Sequence, residues 1–252
     1  TYTDTPMVPV AAFTTAEVGL DTEQANGGPV IDQVYATAAG PGTGPMVCAA
    51  ELPGQPTITL TSLGLTEILN PDWDPTAGTT LPRTIFRDYG FGGSPGTVTL
   101  AGNALTITNW TNAAITATVP ASATTGRLTV KRGDTGIEAE LGVTLHVIDC
   151  TTETVIRVPG DRPTIQGAID AAGYVPDAVG ALILVAPGTY SENVIMNKPV
   201  RLQGAGTGST FIDANPIPLE KLDFWHDRIE PPLAQGGLNG QALEDFMLKN
   251  PF

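Results

Sequence analysis

Short apolar segments separated by turn residues fill the middle of the chain. Between residues 56 and 148 they read ITLTSLGL, GTVTL, ALTITNW, AITATVP, RLTVKRG and LGVTLHVI, and most of them alternate or run apolar in β-branched residues. Strands that recur about every 8–12 residues, with turn signals between them, are typical of an antiparallel β-sandwich. We therefore predict a sandwich here, with Trp110 at the end of an alternating strand as a large core anchor.

A different pattern occupies residues 154–215. Ile165, Ala168, Ile169 and Ala172 follow the spacing i, i+3, i+4, i+7, which predicts a short helix with one apolar stripe. The apolar groups LILV, VIM, VRL and TFI come after it, separated by Gly, Pro and Asn. Short strands with tight turns between them predict a parallel β-solenoid, and the helix would cover the open end of its first coil.

The two ends of the chain lack a sustained period. Residues 1–55 are punctuated by Pro and Gly, and we expect an extended segment or the tail of an upstream domain, the alternative being a few strands that dock onto the predicted sandwich. The start has neither Met nor a basic leader, which suggests an internal cut or a processed end. Residues 216–252 read as short helices, either a solenoid excursion or a partner-binding helix.

Composition narrows the classes of partner. The chain has 252 residues and a net charge of −14, so we expect it to repel nucleic acid and anionic membrane surfaces. No apolar run reaches the length of about 18–20 residues that a membrane span requires, so no membrane insertion is expected. With two cysteines and two histidines, a zinc site of the usual Cys/His spacing is not expected.

The two cysteines flank the predicted sandwich. Cys48 precedes it and Cys150 follows it, at what should be opposite ends of the domain. The segment from Cys48 to Pro56 can span about 26–28 Å when extended, roughly the length of such a domain. If this segment runs back along the sandwich, the two cysteines can form a disulfide, which would fit an oxidising, extracytoplasmic location.

The sandwich region resembles a TIG domain. The similarity is carried by PTI at 56–58, YGFG at 89–92, GTVTLAG at 96–102, NWT at 109–111, ITATVP at 115–120 and TGRLTV at 125–130. The long insertion at 69–82 departs from the family pattern. The resemblance implies an immunoglobulin-like fold anchored by Phe91 and Trp110, which acts as a spacer or a protein-binding module and has no catalytic residues to transfer.

The following region resembles the N-terminal end of the pectate-lyase-like right-handed β-helix superfamily. The matching residues are TIQ at 164–166, AIDAA at 168–172, LILV at 182–185, PGTY at 187–190, Glu192, Val194, Ile195, Val200, Leu202, Gly204 and IDA at 212–214. The resemblance implies structural roles for Ile165, Ile169 and Tyr190. In that superfamily the catalytic carboxylates, arginines and calcium ligands lie several coils further on, so no catalytic residue is predicted here.

We expect ordinary structural roles for the remaining candidates for metal binding, phosphate binding and glycoside hydrolysis. Asp72 and Asp74 flank Trp73 and are weak Ca²⁺ candidates, the only cofactor we consider. The glycine-rich segment 204–208 could cradle phosphate, but a strand follows it where a phosphate loop needs a helix, so we expect a solenoid turn. The acids available for a glycosidase pair are Asp161, Asp170, Asp177 and Asp213, and we do not expect such a pair because Asp170 lies on the capping helix.

Two further residues, His226 and Asn109, are considered for catalysis and for glycosylation. His226 lies beside Trp225 and is expected to pack rather than catalyse. Asn109 begins a formal N-glycosylation acceptor, Asn109-Trp110-Thr111, to which we give no weight because Trp110 belongs to the sandwich pattern.

The sequence thus predicts a mainly β protein in three parts. Residues 1–55 form the N-terminal segment and residues 56–149 the immunoglobulin-like sandwich, while residues 150–252 start a right-handed parallel β-helix with a capping helix and a helical C-terminal excursion. We expect a non-catalytic spacer, stalk or assembly element of a large secreted or surface-attached bacterial protein. It would bind a protein partner or itself through the open β-helix end. The alternative is a fragment of a polysaccharide-active lyase or hydrolase whose site lies outside this chain.

Overall fold

The computed structural model describes residues 24–73, 80–173 and 180–214, and these residues form a mainly β structure with several sheets. The sheets are built from short strands, as the turn-rich sequence predicts. The strands are β1 (Ile31–Ala36), β2 (Met46–Cys48), β3 (Thr57–Ser62), β4 (Gly64–Leu69), β5 (Thr84–Tyr89), β6 (Thr97–Leu100), β7 (Asn103–Ala104), β8 (Thr106–Trp110), β9 (Ala114–Thr118), β10 (Gly126–Lys131), β11 (Val143–Ile148), β12 (Val155–Val158), β13 (Leu182–Val185), β14 (Gly188–Tyr190), β15 (Arg201–Gly204) and β16 (Thr210–Ile212). A 3-10 helix covers Ala49–Gly54 and an α-helix, α1, covers Ile165–Ala171.

Two sheets share one hydrophobic core, and we call them together the first unit. One has the strand order β1-β3-β9-β8 and the other β2-β11-β10-β6-β7. Neighbouring strands are antiparallel except for the parallel pair β2–β11. Alternate side chains of both sheets enter the core, as the period-two pattern predicts. Its fully buried members include Ile31, Ile58, Leu60, Phe91, Val98, Ile115, Leu128, Val130 and Leu145.

Strands from the N-terminal segment complete both sheets. β1 pairs antiparallel with β3, placing Val34 opposite Leu60, and β2 pairs with β11. Ile31, Val34 and Val47 are buried in the shared core. The expectation of an extended linker is therefore wrong for β1 and β2, and the alternative of strands that dock onto the following domain describes them. Residues 1–23 lie outside the described residues.

The predicted anchors Phe91 and Trp110 occupy unequal positions. Phe91 is fully buried, while Trp110 is half-buried, packs beside it with ring centroids 6.3 Å apart, and donates from Nε1 to the carbonyl oxygen of Gly92 at 3.0 Å. Glycines flank Phe91 because side chains crowd the corner: an added Cβ on Gly90 would overlap the Asn112 amide, and Gly92 has φ +79°. The glycine-rich segment 90–93 therefore forms a tight corner around Phe91.

The strands after residue 154 form two parallel ladders, which together with α1 we call the second unit. One ladder has the order β12-β13-β15 and the other pairs β14 with β16. The chain gives one strand to each ladder in succession, β13 then β14 and β15 then β16. The core of this unit contains Ile156, Val158, Ile165, Ala168, Ile169, Ala172, Ile183 and Val185, with Tyr190 half-buried against it. The predicted apolar stripe of the helix faces this core.

Polar groups hold both ends of α1. Thr164 caps the N-terminus by accepting a hydrogen bond from Gly167 N at 3.0 Å. Both carboxylate oxygens of Glu192 accept from Ile165 N and Gln166 N, each at 2.9 Å. Lys198 donates from Nζ to the carbonyl oxygens of Asp170 and Ala172 at the other end. The loop after β14 thus fixes the helix across the unit, with an anion at the N-terminus and a cation at the C-terminus.

We expect Phe91→Ala to lower the free energy of unfolding by about 3–5 kcal/mol, because it removes a fully buried aromatic ring and leaves a cavity. Phe86→Ala is the matched control, since Phe86 is 63% exposed on β5 and should change stability by less than about 1 kcal/mol. Urea titration followed by tryptophan fluorescence measures both. Equal effects of the two substitutions would contradict the assignment of Phe91 to the core.

Candidate functional site

The acids considered for chemistry have local structural partners. Asp72 follows a turn in which its own N–H donates to Asn70 Oδ1 at 3.0 Å, and Asp74 lies outside the described residues. Asp161 accepts from Arg157 N at 2.8 Å, and Asp170 accepts from Gln166 Nε2 at 3.0 Å. Within the described part of the chain, no group of three or more His, Cys, Asp and Glu side chains is placed to hold a metal ion.

The remaining sequence candidates are dispersed. Asp213 is exposed beyond β16 and Asn109 is exposed on β8, the last strand of its sheet. Asp177, His226 and the predicted C-terminal helices at 216–252 lie outside the described residues. The described part of the chain contains no helix of a length and apolarity that would cross a membrane.

A buried arginine forms the densest charge cluster in the described residues. Arg132 is 6% exposed and donates from Nε and Nη2 to the two carboxylate oxygens of Asp134, at 2.9 and 2.8 Å. Its Nη1 donates to Asp88 Oδ2 at 3.0 Å and to the Gly90 carbonyl at 3.1 Å. The hydrogen bonds from Arg132 lower the pKa of Asp134 to about 2. Each nitrogen of the guanidinium already donates to Asp88, Gly90 or Asp134. The cluster is therefore suited to fixing the corner around Phe91 rather than to binding substrate.

An apolar contact joins the two units, and we call the region of contact the junction. Ile148 at the end of β11 packs with Leu182 and Leu184 of β13, and Met46 of β2 lies against the same cluster. An added Cβ on Gly44 would lie 3.3 Å from Leu184, so the loop before β2 also touches β13. Since these side chains come from both units, separating the units would expose apolar surface to water.

Direct hydrogen bonds cross the junction beside this apolar contact. Val34 N donates to the carbonyl oxygen of Ala205 at 3.0 Å, so the backbone of β1 meets the turn after β15. Ser209 Oγ donates to the Asp32 carbonyl at 2.9 Å. An added Cβ on Gly206 would overlap that same carbonyl oxygen. The glycine-rich segment 204–208 therefore forms a turn between β15 and β16 that lies against β1.

The predicted disulfide between Cys48 and Cys150 lies at the junction, with Cα atoms 5.4 Å apart. The geometric reason differs from the expected one. Ala49–Gly54 forms a 3-10 helix, so the segment after Cys48 does not run back extended along the unit. The cysteines meet instead because β2 pairs parallel with β11 and places Cys48 opposite Ile148, two residues before Cys150.

An ion pair fastens the connection between the units. Arg201 of β15 donates from Nη2 to Glu153 Oε2 at 2.6 Å, and Glu153 Oε1 accepts from Asp149 N at 3.0 Å. The hydrogen bond from Asp149 N, together with Arg201, lowers the pKa of Glu153. The short segment between β11 and β12 is thereby held against the second unit.

Sequence reasoning missed most of the junction. Gly206 and Ser209 contact Asp32 although Ser209 and Asp32 are 177 residues apart, so no local pattern relates them. His146 did carry a signal, because it is the one titratable residue in the mostly apolar segment LGVTLHVI. It is 6% exposed, and its Nε2 lies 3.2 Å from Gln203 Oε1 of β15.

Comparisons with known proteins leave the family open. No family model matches the sequence, and no curated protein matches it. Among solved structures, a similarity is found to the gamma-cyclodextrin glycosyltransferase of alkalophilic Bacillus clarkii, at 19% identity and a TM-score of 0.30, covering 51% of this chain and 13% of that one. A similarity at that TM-score carries no argument about fold or function. The TIG and pectate-lyase-like resemblances therefore remain predictions.

We expect Gly206→Ala to open the junction, because the new methyl group must displace the Asp32 carbonyl and with it the hydrogen bonds of Val34 and Ser209. Cleavage after Glu153 by a glutamate-specific protease should then accelerate at least about tenfold, since Glu153 lies between the units. Gly93→Ala is the control, because an added Cβ at Gly93 meets nothing within 4 Å. Equal cleavage rates in the two variants would contradict the described contact.

Proposed function

We propose that this chain is a non-catalytic structural segment of a large secreted or surface-attached bacterial protein. In this proposal the first unit is an immunoglobulin-like spacer, and the second unit is the capped start of a right-handed parallel β-helix. The observation that carries the proposal is the junction, where apolar side chains and hydrogen bonds join the units, an ion pair holds the connecting segment to the second unit, and a disulfide ties that segment to β2. Such a joint suits a protein that transmits position or force between neighbouring modules.

The strand arrangement supports the two domain assignments. Two mostly antiparallel sheets with a common core are the basic plan of a β-sandwich. Successive strands that alternate between two parallel ladders are what the first coils of a β-solenoid would provide, and α1 lies where a cap is needed. The handedness and the family names rest on the sequence resemblances.

The disulfide supports the proposed location. Disulfides form and persist in secreted proteins and on cell surfaces, and are rare in a reducing cytosol. The acidic surface, with a net charge of −14, also fits a protein that keeps apart from nucleic acid and anionic lipid. The alternative, a fragment of a polysaccharide-active enzyme, has only the superfamily resemblance in its favour.

We further propose that a second copy of the chain associates through the outer edge of the two ladders. Within the described residues, β15 and β16 are the last strands of their ladders. Phe211 and Ile212 of β16 are 50% and 47% exposed. The strands RLQG and TFI contain no acidic residue, so no carboxylate on these two strands opposes pairing at this edge. Unpaired strand edges are templates for pairing with another chain.

Sedimentation velocity over a concentration series tests the association in buffer of about 0.15 M salt, which screens the net charge. We expect the average mass to rise with concentration. Phe211→Lys should weaken the association at least about tenfold, because it places a charge on the edge strand. Phe86→Lys, which alters an exposed aromatic residue of β5, should not. A monomer at every concentration, or equal loss in both variants, would contradict association through this edge.

A further inference from the structure

His146 is a buried titratable group at the junction. It lies on β11, opposite Met46 of β2, and its backbone N–H donates to the Pro45 carbonyl at 2.8 Å. Its ring leaves the first unit and meets Gln203 on β15 of the second. A side chain that titrates near neutral pH therefore forms one of the direct contacts between the units.

The neighbouring amide decides which ring nitrogen carries the proton. Gln203 donates from its Nε2 to the Gly204 carbonyl at 2.8 Å, so its Oε1 is the atom that faces the imidazole. An amide oxygen only accepts hydrogen bonds, so His146 donates from Nε2 and its Nδ1 is unprotonated in the neutral ring. Nδ1 is buried and has no hydrogen-bond partner among the described protein atoms.

A second proton would therefore be placed on Nδ1, where the described residues offer it no acceptor. Burial is the largest effect and lowers the pKa of His146; the hydrogen bond with Gln203 raises the pKa, and the Arg201 guanidinium lowers it, with a lowered pKa as the net result. Glu153 acts in the opposite direction, but its two oxygens already accept from Arg201 and from Asp149 N. The other packed strands, β2 (MVC) and β13 (LILV), bring no charged side chain to the ring. The closed junction thus favours a neutral His146.

From this geometry we propose that His146 makes the junction acid-sensitive, so that protonation of its ring favours separation of the second unit from the first. The Cys48–Cys150 disulfide ties the end of β2 to the residues just after β11, so both cysteines stay with the first unit. Separation is therefore a hinge movement in the segment between β11 and β12, with loss of the hydrogen bonds from Val34 N to the Ala205 carbonyl and from Ser209 Oγ to the Asp32 carbonyl. Mild acid would convert a stiff joint into a flexible one.

The direction and the pH window follow from linkage. An exposed His146 in the open state has a pKa near 6.5, and the closed state has a lower one. Below about pH 6.5 the open state takes up a proton that the closed state does not, so each unit of pH decrease favours opening by up to about tenfold. The further gain in opening stops once the pH falls below the lowered pKa of His146 in the closed state. Above about pH 7.5 the ring is neutral in both states, so the junction keeps its full stability.

Amide hydrogen exchange at Val34 reports on the junction, because this N–H donates across it to Ala205. We expect its protection factor to fall between pH about 7.5 and about 5.5, while that of Leu60, inside the first unit, changes little. In His146→Gln, which cannot be protonated, the fall at Val34 should disappear. His226→Gln, which replaces the second histidine of the chain, should behave like the unsubstituted protein. A fall at Val34 of the same size in His146→Gln would overturn the proposal.

A second measurement does not depend on the folding of a variant. The two histidine ring resonances of the unsubstituted protein can be titrated by NMR, with His226→Gln assigning them. We expect the His146 ring to titrate below 6.5, and a value at or above 6.5 would overturn the proposal. Asp32 also lies at the junction, and burial raises the pKa of its carboxyl group. Both measurements therefore stay above pH about 5.5, so that the response comes mainly from His146 and not from Asp32.

Discussion

The contact between β1 and the turn at 204–208 determines how the two units lie against each other. Here two backbones meet directly: Val34 N donates to the Ala205 carbonyl, and the Asp32 carbonyl leaves no space for a side chain at Gly206. The apolar cluster of Ile148, Leu182 and Leu184 also joins the two units, and the disulfide ties β2 to the residues just after β11. In the chain-entropy model, a disulfide that closes a loop of 102 residues stabilises a fold by about 4–5 kcal/mol. Apolar contacts and hydrogen bonds thus hold the joint, and the disulfide stabilises its first-unit side.

Much of the architecture follows from patterns that are local in the sequence. Strands such as β3, β9 and β10 alternate in β-branched residues, and Ile165 and Ile169 set the buried stripe of α1. β1 matches the alternative of docking strands and not the favoured extended segment, and its sequence pattern is weak for a physical reason. Its register shifts between Ile31 and Gln33, so the buried residues Ile31 and Val34 are three apart and the period of two is lost. β2 has only three residues, too few to show a period.

The functional features are mostly non-local, and the sequence could not place them. Arg132 meets Asp88 from a distant loop, and Ser209 meets Asp32 from almost the other end of the described chain. The predicted pairing of the cysteines is present, but the predicted route of the chain between Cys48 and Pro56 is wrong. The parallel register of β2 on β11, and not an extended segment, brings the cysteines together. Trp110 is predicted to be a large core anchor. It is half-buried at the margin of the core, while Phe91 is fully buried within it.

The claim that most depends on the junction is that the two units move as one body. Spin labels at Glu138 in the first unit and Thr189 in the second, both exposed, allow the inter-unit distance distribution to be measured by pulsed electron paramagnetic resonance with the native disulfide intact. Labels at Glu138 and Thr108, which both lie in the first unit, provide the reference width. A rigid joint predicts a single inter-unit distribution as narrow as the reference near pH about 7.5. A clearly broader or multi-peaked distribution at that pH would contradict it.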